Sequence, residues 1–165
     1  MIKVLFSILV LLLSIQHTVT GQNLKFAPKY ITILDPSQAK KMLEQCSRGK
    51  IKKINNTWTI QQKDKIVLEN NFQKIYKIKA KDCCQMNMRV DTLNKYAFQL
   101  IGIIINSKTY IYINAFEVGS REELEENYKY WRTAPVIVCD GGESFWGIFF
   151  DINKKTFEHL AFNGY

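Results

Sequence analysis

Histidine and proline are scarce in this 165-residue chain, which has two of the first and three of the second. His17 falls within the first 21 residues, which a cleaved targeting segment would carry away, so His159 is the one imidazole left for acid–base work in the remainder. The four cysteines, Cys46, Cys83, Cys84 and Cys139, form no CxxC pair, which argues against a structural zinc site. No glycine-rich phosphate loop occurs. Beyond the first 21 residues no apolar run approaches the roughly 20 residues that a membrane-spanning helix needs. Internal repeats, low-complexity tracts and Pro/Ser-rich linkers are also missing, so nothing divides the chain. No convincing nucleophile–base–acid set stands out, and no cofactor is implied.

What is present begins with a targeting signal. Met1-Ile2-Lys3 is a short positive segment, and Val4 to Ile15 is an almost unbroken apolar run. Gln16 to Gly21 is polar, with Val19 and Gly21 at suitable −3 and −1 positions for cleavage before Gln22. The pattern is that of a secretory signal peptide over residues 1–21. Residues 22–165 then form a single exported domain, large enough to bury a core.

Charge is unevenly spread. From Gln22 to Lys81 there are 14 basic residues against 4 acidic ones, and from Asp82 to Tyr165 there are 8 against 11. A basic half can meet nucleic acid, an anionic surface or an acidic protein. Export argues against an intracellular nucleic acid, and no nucleic-acid motif accompanies the lysines. A solvated lysine-rich surface is the plainer account.

Hydrophobic periodicity organises the rest around Trp131–Tyr165. Its apolar runs, Pro135–Cys139, Phe145–Phe150 and Phe157–Phe162, alternate with turn signals at Asp140-Gly141-Gly142-Glu143 and Asn153-Lys154-Lys155. Two adjacent glycines suit a tight two-residue hairpin, so the stretch predicts a three-stranded antiparallel meander. Tyr96–Ile105 and Thr109–Phe116 are two more strands joined at Asn106-Ser107-Lys108, the first apolar on both faces. Ile31–Leu34 is a short edge strand. Asp35-Pro36-Ser37-Gln38 starts a helix that runs to about Gly49, with Ala39, Met42, Leu43 and Cys46 on one face. Thr59-x-x-Gln62 starts another, with a stripe of Leu68, Phe72, Ile75 and Tyr76. Arg121–Trp131 is a short acidic helix facing inward through Leu124, Tyr128 and Trp131. Asn55-Asn56-Thr57 matches a glycosylation sequon, meaningful only in a eukaryotic secretory pathway. The expected fold is α+β: two N-terminal helices packed on an antiparallel sheet of four to five strands.

From Tyr96 onward the chain resembles a group of small exported bacterial proteins of the Bacteroidetes kind, without an assigned function. The resemblance rests on Tyr112-Ile113-Asn114-Ala115-Phe116, Trp131, Asp140-Gly141-Gly142, Phe145-Trp146 and Phe162-Asn163-Gly164. It implies export from a bacterium and a compact domain, and it carries over no catalytic residue.

Four cysteines in an exported domain suggest disulfides. Of the three pairings, one joins neighbours Cys83 and Cys84 in a strained ring. The expectation is therefore that Cys46 and Cys139 each reach the Cys83–Cys84 corner, each loop contributing roughly 3–4 kcal/mol. Asp140, Glu143 and Asp151 are the acids nearest the hairpins and could do acid–base work or hold calcium, although turns favour such residues anyway. Trp131, Phe145, Trp146, Phe149, Phe150 and Phe162 make the end of the chain aromatic. A packed sheet explains them, while exposure of Trp131 and Trp146 beside Asp140 and Glu143 would make a binding surface. Cys139 and His159 are the most tempting catalytic pair, but the expected meander separates them by roughly 13 Å along the strand. The expected function is a non-enzymatic exported binding or inhibitor-like domain for an envelope or extracellular protein or a glycan. A small cysteine-dependent hydrolase and an envelope structural protein are the alternatives.

Overall fold

In a computed structural model the described residues are 26–46, 48, 54–81 and 85–164. The expected signal peptide and the pair Cys83–Cys84 lie outside them. No helix among the described residues is long and apolar enough to cross a membrane.

Six strands make one sheet: β1 (Tyr30–Ile33), β2 (Asn56–Trp58), β3 (Tyr96–Ile105), β4 (Lys108–Glu117), β5 (Phe145–Asp151) and β6 (Thr156–Phe162). β3 to β6 pair in sequence order as an antiparallel meander. The opposite edge of β3 is shared end to end. β1 lies parallel to it over Ala97–Leu100, and β2 lies antiparallel over Gly102–Ile104. The helices are short: α1 (Ala39–Leu43), α2 (Gln62–Glu69) and α3 (Arg121–Asn127), with 3-10 turns at Pro36–Gln38, Phe72–Lys77 and Gly142–Ser144.

The expectation of two N-terminal helices on four to five antiparallel strands is corrected by this topology. Among the described residues the first element is a strand, the sheet has six strands and is mixed, and the helices are minor. Asp35 does cap its turn, accepting from Ser37 N–H. The helix nevertheless stops at Leu43, because Gln45 and Cys46 are drawn across to Val136 and Cys139. The second helix opens two residues late, with the Asp64 carboxylate accepting from Gln61 N–H.

The expected meander is right in its last two strands and wrong in its first. The partners of β5 are β4 and β6, and residues 135–140 are not a strand. Pro135 has no N–H to give a ladder. The carbonyls of Val136, Val138 and Asp140 are taken by side-chain amides instead. Gly141 and Gly142 do adopt positive φ, 87° and 55°, but they lead into a 3-10 turn. The two-residue hairpin with both φ positive is Asn106-Ser107, between Ile105 and Lys108.

Each face of the sheet carries its own layer. On one, Phe98, Leu100, Ile113, Trp146 and Phe150 pack under Leu68, Phe72, Ile75, Val90 and Leu93 as one apolar cluster. The other face has two smaller clusters. Ile101, Ile103, Tyr112 and Phe149 meet Leu34, Ala39 and Met42. Ala97 and Phe116 meet Leu124 and Trp131. A polar row separates them: Gln99 stands opposite Asn114, and Asn114 opposite Gly147.

Candidate functional site: a groove between α1 and β2

The polar row explains how the second layer is held. Gln99 Nε2 donates to Trp131 O (2.6 Å) and Ala134 O (2.7 Å), while its Oε1 accepts from Val136 N (2.8 Å). Asn114 Nδ2 donates to Gln99 Oε1 and to Val136 O. Arg48 is 6 % exposed. It donates to Asn163 Oδ1 (2.6 Å), Asn114 Oδ1 (2.6 Å) and Tyr112 Oη (3.2 Å). These acceptors are neutral, and no described carboxylate lies within salt-bridge distance of the guanidinium. Such a group stays buried only if its hydrogen bonds are well made. Gly147 makes room for it: a Cβ there would lie 2.8 Å from Arg48 Nη1 and 2.2 Å from Tyr112 Oη.

Beside this layer lies an open groove of about 590 Å³. Its α1 side presents Pro36, Ser37, Ala39, Lys40, Leu43 and Glu44; its β2 side presents Ile54, Asn55, Asn56 and Thr57. Immediately after α1, Gln45 Nε2 donates to Val136 O, Cys46 is bonded to Cys139, and Arg48 enters the polar row. Ser37 is set by its hydroxyl and N–H, both donating to Asp35, which hold that carboxyl below its usual range. The β2 wall hangs on β3. Trp58 Nε1 donates to Tyr110 O (3.0 Å), and Asn55 Oδ1 accepts from Asn106 N (2.7 Å). Gly102 lets Trp58 lie close, since a Cβ there would meet Trp58 O at 2.3 Å.

The residues singled out from sequence fall elsewhere. Trp131 and Trp146 are 3 % and 0 % exposed, so neither offers a surface for binding. The strands alternate as expected, but both faces of this sheet are covered. Asp140 and Glu143 are exposed beside the glycine turn, and their backbone carbonyls accept from Asn163 Nδ2 and Tyr96 Oη. Asp151 is buried and caps the β5–β6 turn, accepting from Asn153 N and Lys154 N. Among the described residues no His/Cys/Asp/Glu group would hold a metal ion.

The disulfide pairing is also corrected: Cys46 bonds to Cys139 directly, not to the Cys83–Cys84 corner. Position decides it, because the chain leaving α1 crosses the coil at 136–140. His159 lies in β6 between Phe157 and Ala161 as expected, but it is not partly buried. It is exposed, with φ 57°, at a bulge where the β5–β6 register slips between Gly147 and Phe149. Its ring stands edge-on to Phe149. The Cys139 sulfur is committed to a disulfide, whereas nucleophilic catalysis needs a free thiolate. No family model, curated protein or solved structure matches the chain.

Sequence reasoning missed the groove because its walls come from separate elements that share no motif. It missed the polar row for a different reason. Gln99 and Asn114 are single amides inside strands otherwise apolar on both faces, and that anomaly was the available signal.

Proposed function

We propose that this chain is an exported, non-enzymatic binding domain whose groove between α1 and β2 takes an extended segment of an envelope or extracellular protein. The observation that carries the reading is the groove itself, with apolar Ala39, Leu43 and Ile54 among polar Ser37, Lys40, Glu44, Asn55 and Thr57. Apolar pockets with a few placed polar groups are the usual form of a ligand site. A peptide suits it better than a glycan, because none of the lining residues is aromatic and a sugar ring would have no face to stack on. The N-terminal apolar run and the Cys46–Cys139 bond support export, since disulfides persist in oxidising compartments.

The reading is tested by panning a random-peptide library on the exported protein and on its Lys40→Glu variant, at an exposed position of the lining. Retained peptides should lose binding to the variant while its melting temperature is kept. Peptides that bind both proteins alike would overturn the assignment. Intact mass of the exported protein should place its N-terminus at or near Gln22. A correctly localised product retaining Met1 to Gly21 would contradict the signal-peptide reading.

A further inference from the structure

The layer over the first sheet face presents a second surface, independent of the groove. It runs from α2 through the 3-10 turn at Phe72–Lys77 to Leu93, and its buried side is Leu68, Phe72, Ile75, Ala80, Val90 and Leu93. Its outer side is basic. Lys74, Lys77, Lys79, Lys81 and Arg89 are exposed, and no described carboxylate lies within salt-bridge distance of them. Lys74 Nζ donates to Lys155 O at 3.1 Å, which joins the exposed Lys154-Lys155 turn to the same surface. Ala80 N donates to Met88 O and Asn87 N to Ala80 O, so Lys79 and Lys81 lie beside Met86 and Arg89.

Apolar exposure concentrates in the same layer. Of the four exposed large apolar side chains among the described residues, Ile66 (42 %), Tyr76 (36 %) and Met86 (68 %) belong to it. Lysines around protruding apolar groups suit a surface whose charge lies outermost with hydrocarbon beneath. Anionic headgroups attract the cations, and the side chains between them reach the acyl boundary. A polyanion would use the lysines and leave Met86 without a role.

We propose that this basic layer docks peripherally on an anionic lipid surface, with Lys74, Lys77, Lys79, Lys81 and Arg89 facing the headgroups and Met86 inserting among them. The test is sedimentation of the exported protein with vesicles of phosphatidylcholine alone or mixed with phosphatidylglycerol. Binding should need the anionic lipid and weaken as salt is raised. Lys77→Glu/Lys79→Glu should reduce partitioning by more than about tenfold, since each lysine near such a surface is worth roughly fivefold. Met86→Asp should also reduce it, whereas Lys129→Glu in the opposite layer should not. Thermal melts confirm that the variants fold. Three outcomes would overturn the proposal. They are equal binding to both vesicle types, a Met86→Asp variant that binds like wild type, and heparin binding without vesicle binding. Salt-sensitive self-association abolished by the Lys77/Lys79 change would instead assign the surface to a second copy. Failure of the groove to hold a peptide leaves this test unaffected, because no substitution in it lines the groove.

Discussion

One sheet supports two layers built by opposite means. The layer over the first face is held by apolar contact: Leu68, Phe72, Ile75 and Leu93, all fully buried, fit against Phe98, Trp146 and Phe150. The layer over the second face is largely coil, and backbone carbonyls at Trp131, Ala134, Val136, Val138 and Asp140 are bound one by one by Gln99, Asn114 and Asn163. Apolar burial is non-directional and tolerates some repacking. A side-chain amide bound to a carbonyl fixes position to a few tenths of an ångström. The second kind of layer suits a segment that must hold a groove wall in place without being a helix or strand. Their surfaces also differ, with seven acidic against three basic residues over Glu117–Glu143, and seven basic against four acidic over Gln62–Leu93.

The difference predicts distinct responses to substitution. Cys46→Ser with Cys139→Ser opens a loop of sequence separation 93 and should have the largest effect, about 4.6 kcal/mol in the chain-entropy model. That term acts on the unfolded state and lowers protection throughout, but the second layer also loses its local tie, so hydrogen exchange should rise more at 131–140 than at 62–93. Phe72→Ala is the counterpart in the first layer. It should cost about 3–4 kcal/mol by cavity formation and leave peptide binding in the groove intact. Arg48→Met comes next, at about 3 kcal/mol. It leaves Asn114 Oδ1 and Asn163 Oδ1 buried without their charged donor. Denaturant melts rank the three. An Arg48→Met variant as stable as wild type would show that the polar row gives no stability and that both layers rest on apolar burial.

How much of this was legible follows the same division. The strands of the meander came out of periodicity almost residue for residue: Tyr96–Ile105 as expected, and β6 within one residue at its start. Of the stripe read as core, Leu68, Phe72 and Ile75 are fully buried, whereas Tyr76 is exposed because the helix gives way to a 3-10 turn before reaching it. Patterning reports burial, and this part of the fold is held by burial. The second layer was misread because it obeys no period. Val136 and Val138 resemble a strand until the amides of Asn114 and Asn163 are known to take their carbonyls. The Cys46–Cys139 pairing was equally out of reach, since spacing along the chain carries no information on which coil crosses which. The groove inherits that difficulty, as its α1 wall is positioned by the misread layer.

The smallest effect sharpens the comparison most, because it tests whether the polar row acts as a unit. Tyr112→Phe removes only the acceptor 3.2 Å from Arg48 Nη1. Arg48 keeps Asn114 and Asn163 at 2.6 Å, so the loss should be about 1 kcal/mol. Gly147→Ala should cost about 2 kcal/mol, since its Cβ would meet Tyr112 Oη at 2.2 Å, Tyr112 Cζ at 2.8 Å and Arg48 Nη1 at 2.8 Å. These are the ends of side chains, and elsewhere they would swing aside cheaply; here hydrogen bonds pin them. In the double variant the hydroxyl in the tightest contact is gone, while the two 2.8 Å contacts remain. The combined cost should therefore fall short of the sum by about 0.5–1 kcal/mol. Urea melts of the two single variants and the double variant measure this directly. Strict additivity would mean that Tyr112 and Arg48 move independently of Gly147, and that the second layer is loose packing like any other surface coil.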